Sequence, residues 1–123
     1  MAEVSVLIVE DDDTVARVED WRLKKLGYNV CGRAINSADA IRLAARHNPD
    51  IVLMDINLQG EVDGIETAQQ IKREFNIPVV FVTSHSDDAT LVRVKATRPE
   101  GFIIKPFEDE DLRVAIELAV VRE

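Results

Sequence analysis

The side chains able to do chemistry in this sequence cluster where apolar runs end. The run VSVLIV is followed by Glu10, Asp11, Asp12 and Asp13. Adjacent carboxylates repel one another, so each needs a reason. Asp12 or Asp13 can cap a helix, because acids favour a helix N-terminus and a side-chain oxygen there satisfies an unpaired backbone N–H. That reason does not reach Glu10 and Asp11, which leave the apolar run itself. The run IVLM ends on Asp55, with Ile56 and Asn57 next. VVFV ends on Thr83 and Ser84, hydroxyls that can donate to an anion or cap a helix. GFII ends on Lys105, followed by Pro106. A lysine opposite an acid cluster serves as a movable counter-charge. Acids, hydroxyl and ammonium, each at the end of a different apolar run, suit the binding of a hard cation beside an anion.

Elements must bring these ends together. Val4–Val9, Tyr28–Ala34, Ile51–Met54, Pro78–Thr83 and Gly101–Ile104 read as strands. Between and after them, helices are predicted over Thr14–Leu26, from a Ser37 cap to His47 ahead of Pro49, over Ile65–Phe75, Asp87–Thr97 and Glu108–Val121. Strands that are apolar throughout suit a sheet covered on both faces. Regular strand–helix alternation implies an α/β fold, a single doubly wound parallel sheet of five strands with five helices. Right-handed crossovers restrict the topology to a few forms, and the flavodoxin-like order 2-1-3-4-5 is the expectation here. In that order strands one and three flank the switch point, where ligands sit beyond the strand C-termini. Glu10, Asp11 and Asp55 then converge. At ~4 Å and an effective dielectric near 20, two like charges repel by about 4 kcal/mol. A divalent cation removes the conflict. Mg²⁺, or Mn²⁺ in its place, suits a site made only of oxygens.

With these motifs in place, the sequence resembles the receiver domains of two-component response regulators. The resemblance spans nearly the whole chain and rests on LIVED ending at Asp11, DIVLMDINL around Asp55, VVFVTS ending at Ser84 and GFIIKPF around Lys105. It implies that Asp55 is the phosphoacceptor and that Glu10 and Asp11 position Mg²⁺, with Asp11 the direct ligand. It also implies that Asn57 offers its backbone carbonyl to the metal, that the Thr83 hydroxyl contacts the phosphoryl group and that Lys105 pairs with it. Phe102 holds the place of the aromatic switch residue, and the Lys105–Pro106 bond is expected cis. The implied donor is a histidine kinase or phosphotransfer protein. The implied output is a downstream protein or a homodimer, engaged through the face of helix four, strand five and helix five. His85, two residues after Thr83, is either an exposed loop residue or a flank that, with Asn57 opposite, tunes dephosphorylation. Two departures stand out: the loop NLQGEVDGIE is longer than in many receivers, and Phe102 has no phenol hydroxyl.

Bulk properties narrow the field further. The 123 residues fit one domain, 1–123, and 46% hydrophobic content supports an ordinary core. A formal net charge of −8 argues against direct nucleic-acid binding. No apolar run approaches a membrane span and the start lacks a signal-peptide pattern, so a cytoplasmic location is expected. Cys31 is the single cysteine, which excludes an internal disulfide and a CxxC metal site. The expectation is a signalling phosphoacceptor, acting as a catalyst only of its own phosphorylation and dephosphorylation. Rivals are a receiver cut from a larger regulator or hybrid kinase, and a haloacid-dehalogenase-like phosphatase. The second would carry DxD after its first strand, whereas Asp55 follows the third and Asn57 stands two residues on. A flavodoxin-like electron carrier would place four acids against its flavin phosphate, and a nicotinamide domain would need GxGxxG. Trp21 is expected to pack in or near the core. In the last helix Leu112, Ala115, Ile116 and Ala119 should face the sheet, while Val114, Leu118 and Val121 form a second stripe, either scattered surface or an interface.

Overall fold

Alternate residues of each central strand serve two separate cores. Leu7, Val9, Val52, Met54, Val79 and Phe81 pack into one, and Val6, Ile8, Ile51, Leu53, Val80 and Val82 into the other. Side chains of a strand alternate between faces, so a strand with no polar position is a strand covered on both sides. The computed structural model describes residues 3–58, 60–84 and 87–120. Its elements are β1 (Ser5–Val9), α1 (Asp13–Lys25), β2 (Asn29–Ala34), α2 (Ser37–His47), β3 (Ile51–Asp55), α3 (Gly64–Phe75), β4 (Val79–Thr83), α4 (Asp88–Thr97), β5 (Gly101–Ile104) and α5 (Asp109–Val120). The strands form one parallel sheet in the order β2-β1-β3-β4-β5. Residues of α2, α3 and α4 close the first core, and those of α1 and α5 close the second.

Element ends differ from the sequence reading by a residue or so, and the caps explain how. Asp12 caps α1 by accepting from the Val15 N–H at 3.0 Å. Asn36, not Ser37, caps α2, accepting from the Asp39 N–H at 2.8 Å. Ser37 is instead the first helical residue, and its Oγ accepts from the Thr67 hydroxyl at 2.8 Å, joining α2 to α3. The end of α2 comes before Pro49: Asn48 takes the left-handed conformation, φ 45°, tolerated by Asn more than by most residues. Asp63 opens α3 with a reciprocal capping box to Glu66, so the long β3–α3 loop still delivers the chain to a fixed start.

Trp21 is a correction. It is 62% exposed, and the Lys25 ammonium lies 4.3 Å from its ring centroid. The buried stripe of α1 is Ala16, Glu19 and Leu23. Trp21 falls outside that stripe, and its indole is covered by a cation rather than by the core. In α5, Leu112, Ile116 and Ala119 are buried and Ala115 half-buried, as expected, while Val114 and Leu118 are 41% and 69% exposed. Val121 lies outside the described residues.

Candidate functional site

Parallel strands all end on one side of the sheet, and the register here aligns those ends. Val9 pairs with Met54, Asp55 with Val82 and Thr83 with Ile104. Glu10 therefore follows β1 beside Asp55, the last residue of β3. Thr83 ends the next strand over, and Lys105 follows the one beyond, its backbone N–H donating to the Thr83 carbonyl at 2.8 Å. Ligand atoms of Glu10, Asp11 and Asp55 lie within 4.8 Å of one another. Lys105 Nζ lies 3.4 Å from Glu10 Oε1 across the same edge. The Lys105–Pro106 peptide is cis.

The four acids of the β1–α1 turn divide by task. Asp12 caps the helix, and Asp13 pairs with Arg33. Arg33 also donates to the Glu10 carbonyl at 2.9 Å, fixing the backbone where the chain leaves β1. Glu10 and Asp11 are thus left to the acid cluster, Glu10 nearly fully buried and Asp11 half-exposed.

Crowding shows in the proton affinities. Burial, and then repulsion from Asp55, push Glu10 up to about 7, against the opposing pull of the Asp12 N–H and Lys105. Burial also raises Asp55, partly offset by the Asn57 N–H, which donates to Asp55 Oδ1 at 3.3 Å, and by Lys105. Glu10 and Asp55 act on one another across this edge: Asp55 raises the proton affinity of Glu10, while the Glu10 side chain lowers that of Asp55. Three acids whose oxygens converge in this way fit a hard divalent cation, which would offset their mutual repulsion without burying uncompensated charge. Mg²⁺ in such a site would be held by Glu10, Asp11 and Asp55, and would supply charge neutralisation to an incoming phosphate.

The structure also places the remaining sequence-predicted residues. Thr83 is fully buried at the end of β4. Asn57 is exposed on the loop that follows Asp55. Phe102 is half-buried against the core closed by α2, α3 and α4, opposite Phe81 in the register. His85 lies outside the described residues.

Two residues escaped the sequence reading. The first is Gly64: a Cβ there would come within 1.9 Å of the Asp55 carbonyl oxygen, so the start of α3 rests directly on the backbone of Asp55. The Gly64 N–H bonds the Ile56 carbonyl at 2.9 Å, locking that approach. Its place just after the cap residue Asp63 was legible; the contact was not. The second is Glu19, 4% exposed on α1, its carboxyl raised to about 8 chiefly by burial and then by Glu10. Its spacing three from Ala16 and four from Leu23 puts an acid on an apolar stripe, a signal the sequence did carry.

Comparison with known proteins agrees with this geometry. The family described as response regulator receiver domain matches residues 6–117. The chain is 35% identical over 117 residues to the transcriptional regulatory protein PdtaR of Mycobacterium tuberculosis, covering 95% of this chain and 57% of that protein. The chain thus spans a little over half the length of the curated relatives it matches. Among solved structures, the signal receiver domain of a modulated diguanylate cyclase from Desulfovibrio desulfuricans G20 is similar at TM-score 0.91 and 39% identity, over 97% of this chain and 94% of that one. The N-terminal domain of a response regulator/sensory box/GGDEF 3-domain protein from Carboxydothermus hydrogenoformans is similar at TM-score 0.84 and 32% identity, over 94% and 93%. Among the described residues, no helix is long and apolar enough to cross a membrane.

Proposed function

The chain belongs to the response regulator receiver domain family, and from that premise we propose that it takes a phosphoryl group on Asp55 and uses the added charge to change which partner it binds. The observation that carries the reading is the meeting of Glu10, Asp11 and Asp55 within 4.8 Å, with Lys105 beside Glu10. Glu10, Asp11 and Asp55 would hold Mg²⁺ there, and the ion would supply neutralisation of charge on the acids and on the incoming phosphate. In the step itself, a carboxylate oxygen of Asp55 forms a bond to phosphorus in line with the leaving group. The bond to the donor, a phosphohistidine nitrogen or a small acyl phosphate oxygen, breaks. Positioning and charge neutralisation govern the rate. Gly64 and the Asn57 N–H hold the acceptor from its backbone and carboxylate sides. Lys105 moves its ammonium from Glu10 toward the new oxygens.

The product adds about −1.5 to −2 charges to a buried edge. Thr83, at the end of β4, turns its hydroxyl toward the phosphoryl oxygens, and Phe102 on the neighbouring strand moves into the space released. That re-shapes the face of α4, β5 and α5. Phe102, Ile104, Val114 and Leu118 line a shallow recess there, rimmed by Glu100, Glu110 and Asp111. Such a shift works by moving a two-state equilibrium. The donor is a histidine kinase or phosphotransfer protein, and the output is a protein contact or homodimer through this face.

Intact-mass analysis tests the assignment. After exposure to a small acyl phosphate with Mg²⁺, the wild-type chain should gain one phosphoryl group and Asp55→Asn none. A full adduct on the Asn variant would defeat Asp55 as the acceptor.

A further inference from the structure

Next to the acid cluster, between α1 and the β5–α5 connection, lies an apolar recess of about 250 Å³. Val15, Val18, Pro106 and Phe107 wall it, and Glu19 and Lys105 both line it. Glu19 is 4% exposed, on the sheet-facing stripe of α1. Its environment is burial and charge alone: among the described residues no hydrogen bond reaches its carboxyl. The carboxyl opens onto the recess, and an acid this largely buried is stabilised by a nearby cation.

Arg22 and Lys105 are the cations of the recess. Arg22 is committed elsewhere, to Asp109 at 2.7 Å and to the Phe107 carbonyl at 2.7 Å. Lys105 is held loosely: its 3.4 Å contact with Glu10 is at the long end for a charged hydrogen bond. A long, flexible ammonium side chain thus reaches Glu10 while its residue shares the recess with Glu19, whose proton affinity its charge lowers.

We propose that Glu19 is a positioning residue for Lys105, giving its ammonium a second resting partner from which it is withdrawn when a phosphoryl group arrives on Asp55. The assignment rests on the receiver reading for the second half of that motion; the Glu19–Lys105 coupling stands without it. The charged groups that act on Glu19 are Glu10 and Asp55, which raise its proton affinity, and Lys105 and Arg22, which lower it. With burial as the largest cause, Glu19 ionises at about 8. Its hold on Lys105 is therefore weak when protonated and full above that pH.

Two measurements test this. In the metal-free protein, the Lys105 Cε resonance is followed by ¹³C NMR from about pH 6 to about pH 9. The wild-type signal should inflect near 8, from Glu19. Glu19→Gln, which keeps the side-chain volume, should lose that inflection. An inflection near 8 that survives in Glu19→Gln overturns the proposal. The second measurement is the phosphorylation rate from a small acyl phosphate with Mg²⁺ at about pH 9, where Glu19 carries its charge. Glu19→Gln should be faster than wild type on the order of three- to tenfold, the size of one partly screened buried charge. In a Lys105→Met background the same substitution should change the rate by less than about twofold. Equal acceleration in both backgrounds, or none in the first, overturns the proposal. Failure of the wild-type chain to take any phosphoryl group would instead count against the receiver reading, and the NMR titration would then decide the Glu19–Lys105 coupling alone.

Discussion

Substituting Asp55 by Asn should stabilise the metal-free protein while removing the proposed acceptor. The carboxylates of Glu10, Asp11 and Asp55 have ligand atoms within 4.8 Å of one another. At that separation and an effective dielectric near 20, each like-charge pair repels by about 3 kcal/mol. Asn keeps the shape and removes one charge. It also gives up attraction to Lys105, and it weakens the acceptance of the Asn57 N–H. A net gain of roughly 1–2 kcal/mol remains after those losses. For a domain of this size that corresponds to a melting temperature raised by about 4–8 °C. The sign with pH follows from the raised proton affinity of Asp55. A carboxyl that holds its proton more tightly when folded favours the fold fully at low pH, below its unfolded value near about 4. That contribution is lost as pH rises through the folded value. Asn does not titrate, so its advantage should be small at about pH 4 and complete on the alkaline side of the cluster's titration. Thermal unfolding followed by circular dichroism in EDTA, at acid and mildly alkaline pH, measures it. Added Mg²⁺ should raise the wild-type midpoint by binding only the folded state, and should raise the Asn variant less. An Asn variant less stable than wild type in EDTA at alkaline pH would refute the repulsion argument.

Other substitutions probe separate links. Gly64→Ala should destabilise by about 1–3 kcal/mol in urea unfolding and slow phosphorylation, since the new Cβ meets the Asp55 carbonyl oxygen at 1.9 Å; unchanged stability and rate would show that the loop can retreat without moving Asp55. Lys105→Ala should still accept some phosphoryl group but switch poorly, and wild-type-like partner binding by the phosphorylated variant would count against Lys105 as the switching cation. The exposed pair on α5, tested as Val114→Asp with Leu118→Asp, should abolish any phosphorylation-dependent dimer seen by light scattering, and an assembly mass that ignores both would place the interface elsewhere.

Much of the fold was legible because strand burial has a simple signature. VLIV, IVLM and VVFV carry no polar position, and in a sheet covered on both sides no position can be polar without a partner. The alternation with helices then implied parallel pairing and narrowed the strand order to a few forms, of which the expected 2-1-3-4-5 is the one observed. Helix ends were less legible. Asn36 and Ser37 are both good caps, and only the backbone shows that Asn36 is the residue outside the helix while Ser37 bonds Thr67. Trp21 was misplaced because helical position, rather than hydrophobicity, decides what faces the sheet, and the stripe of α1 runs through Ala16, Glu19 and Leu23.

The sequence by itself determined which residues leave the strands at one edge: Glu10, Asp11, Asp55, Thr83 and Lys105 follow apolar runs, and parallel strands end together. Only the tertiary structure decided which of them meet and what surrounds them. Distances of a few ångströms depend on strand register, on Arg33 fixing the Glu10 carbonyl and on Gly64 resting on Asp55. Burial of Glu19 beside Lys105 depends on how α1 lies against the β5–α5 connection. Electrostatic energies fall with distance and grow with burial, and neither quantity is written along the chain.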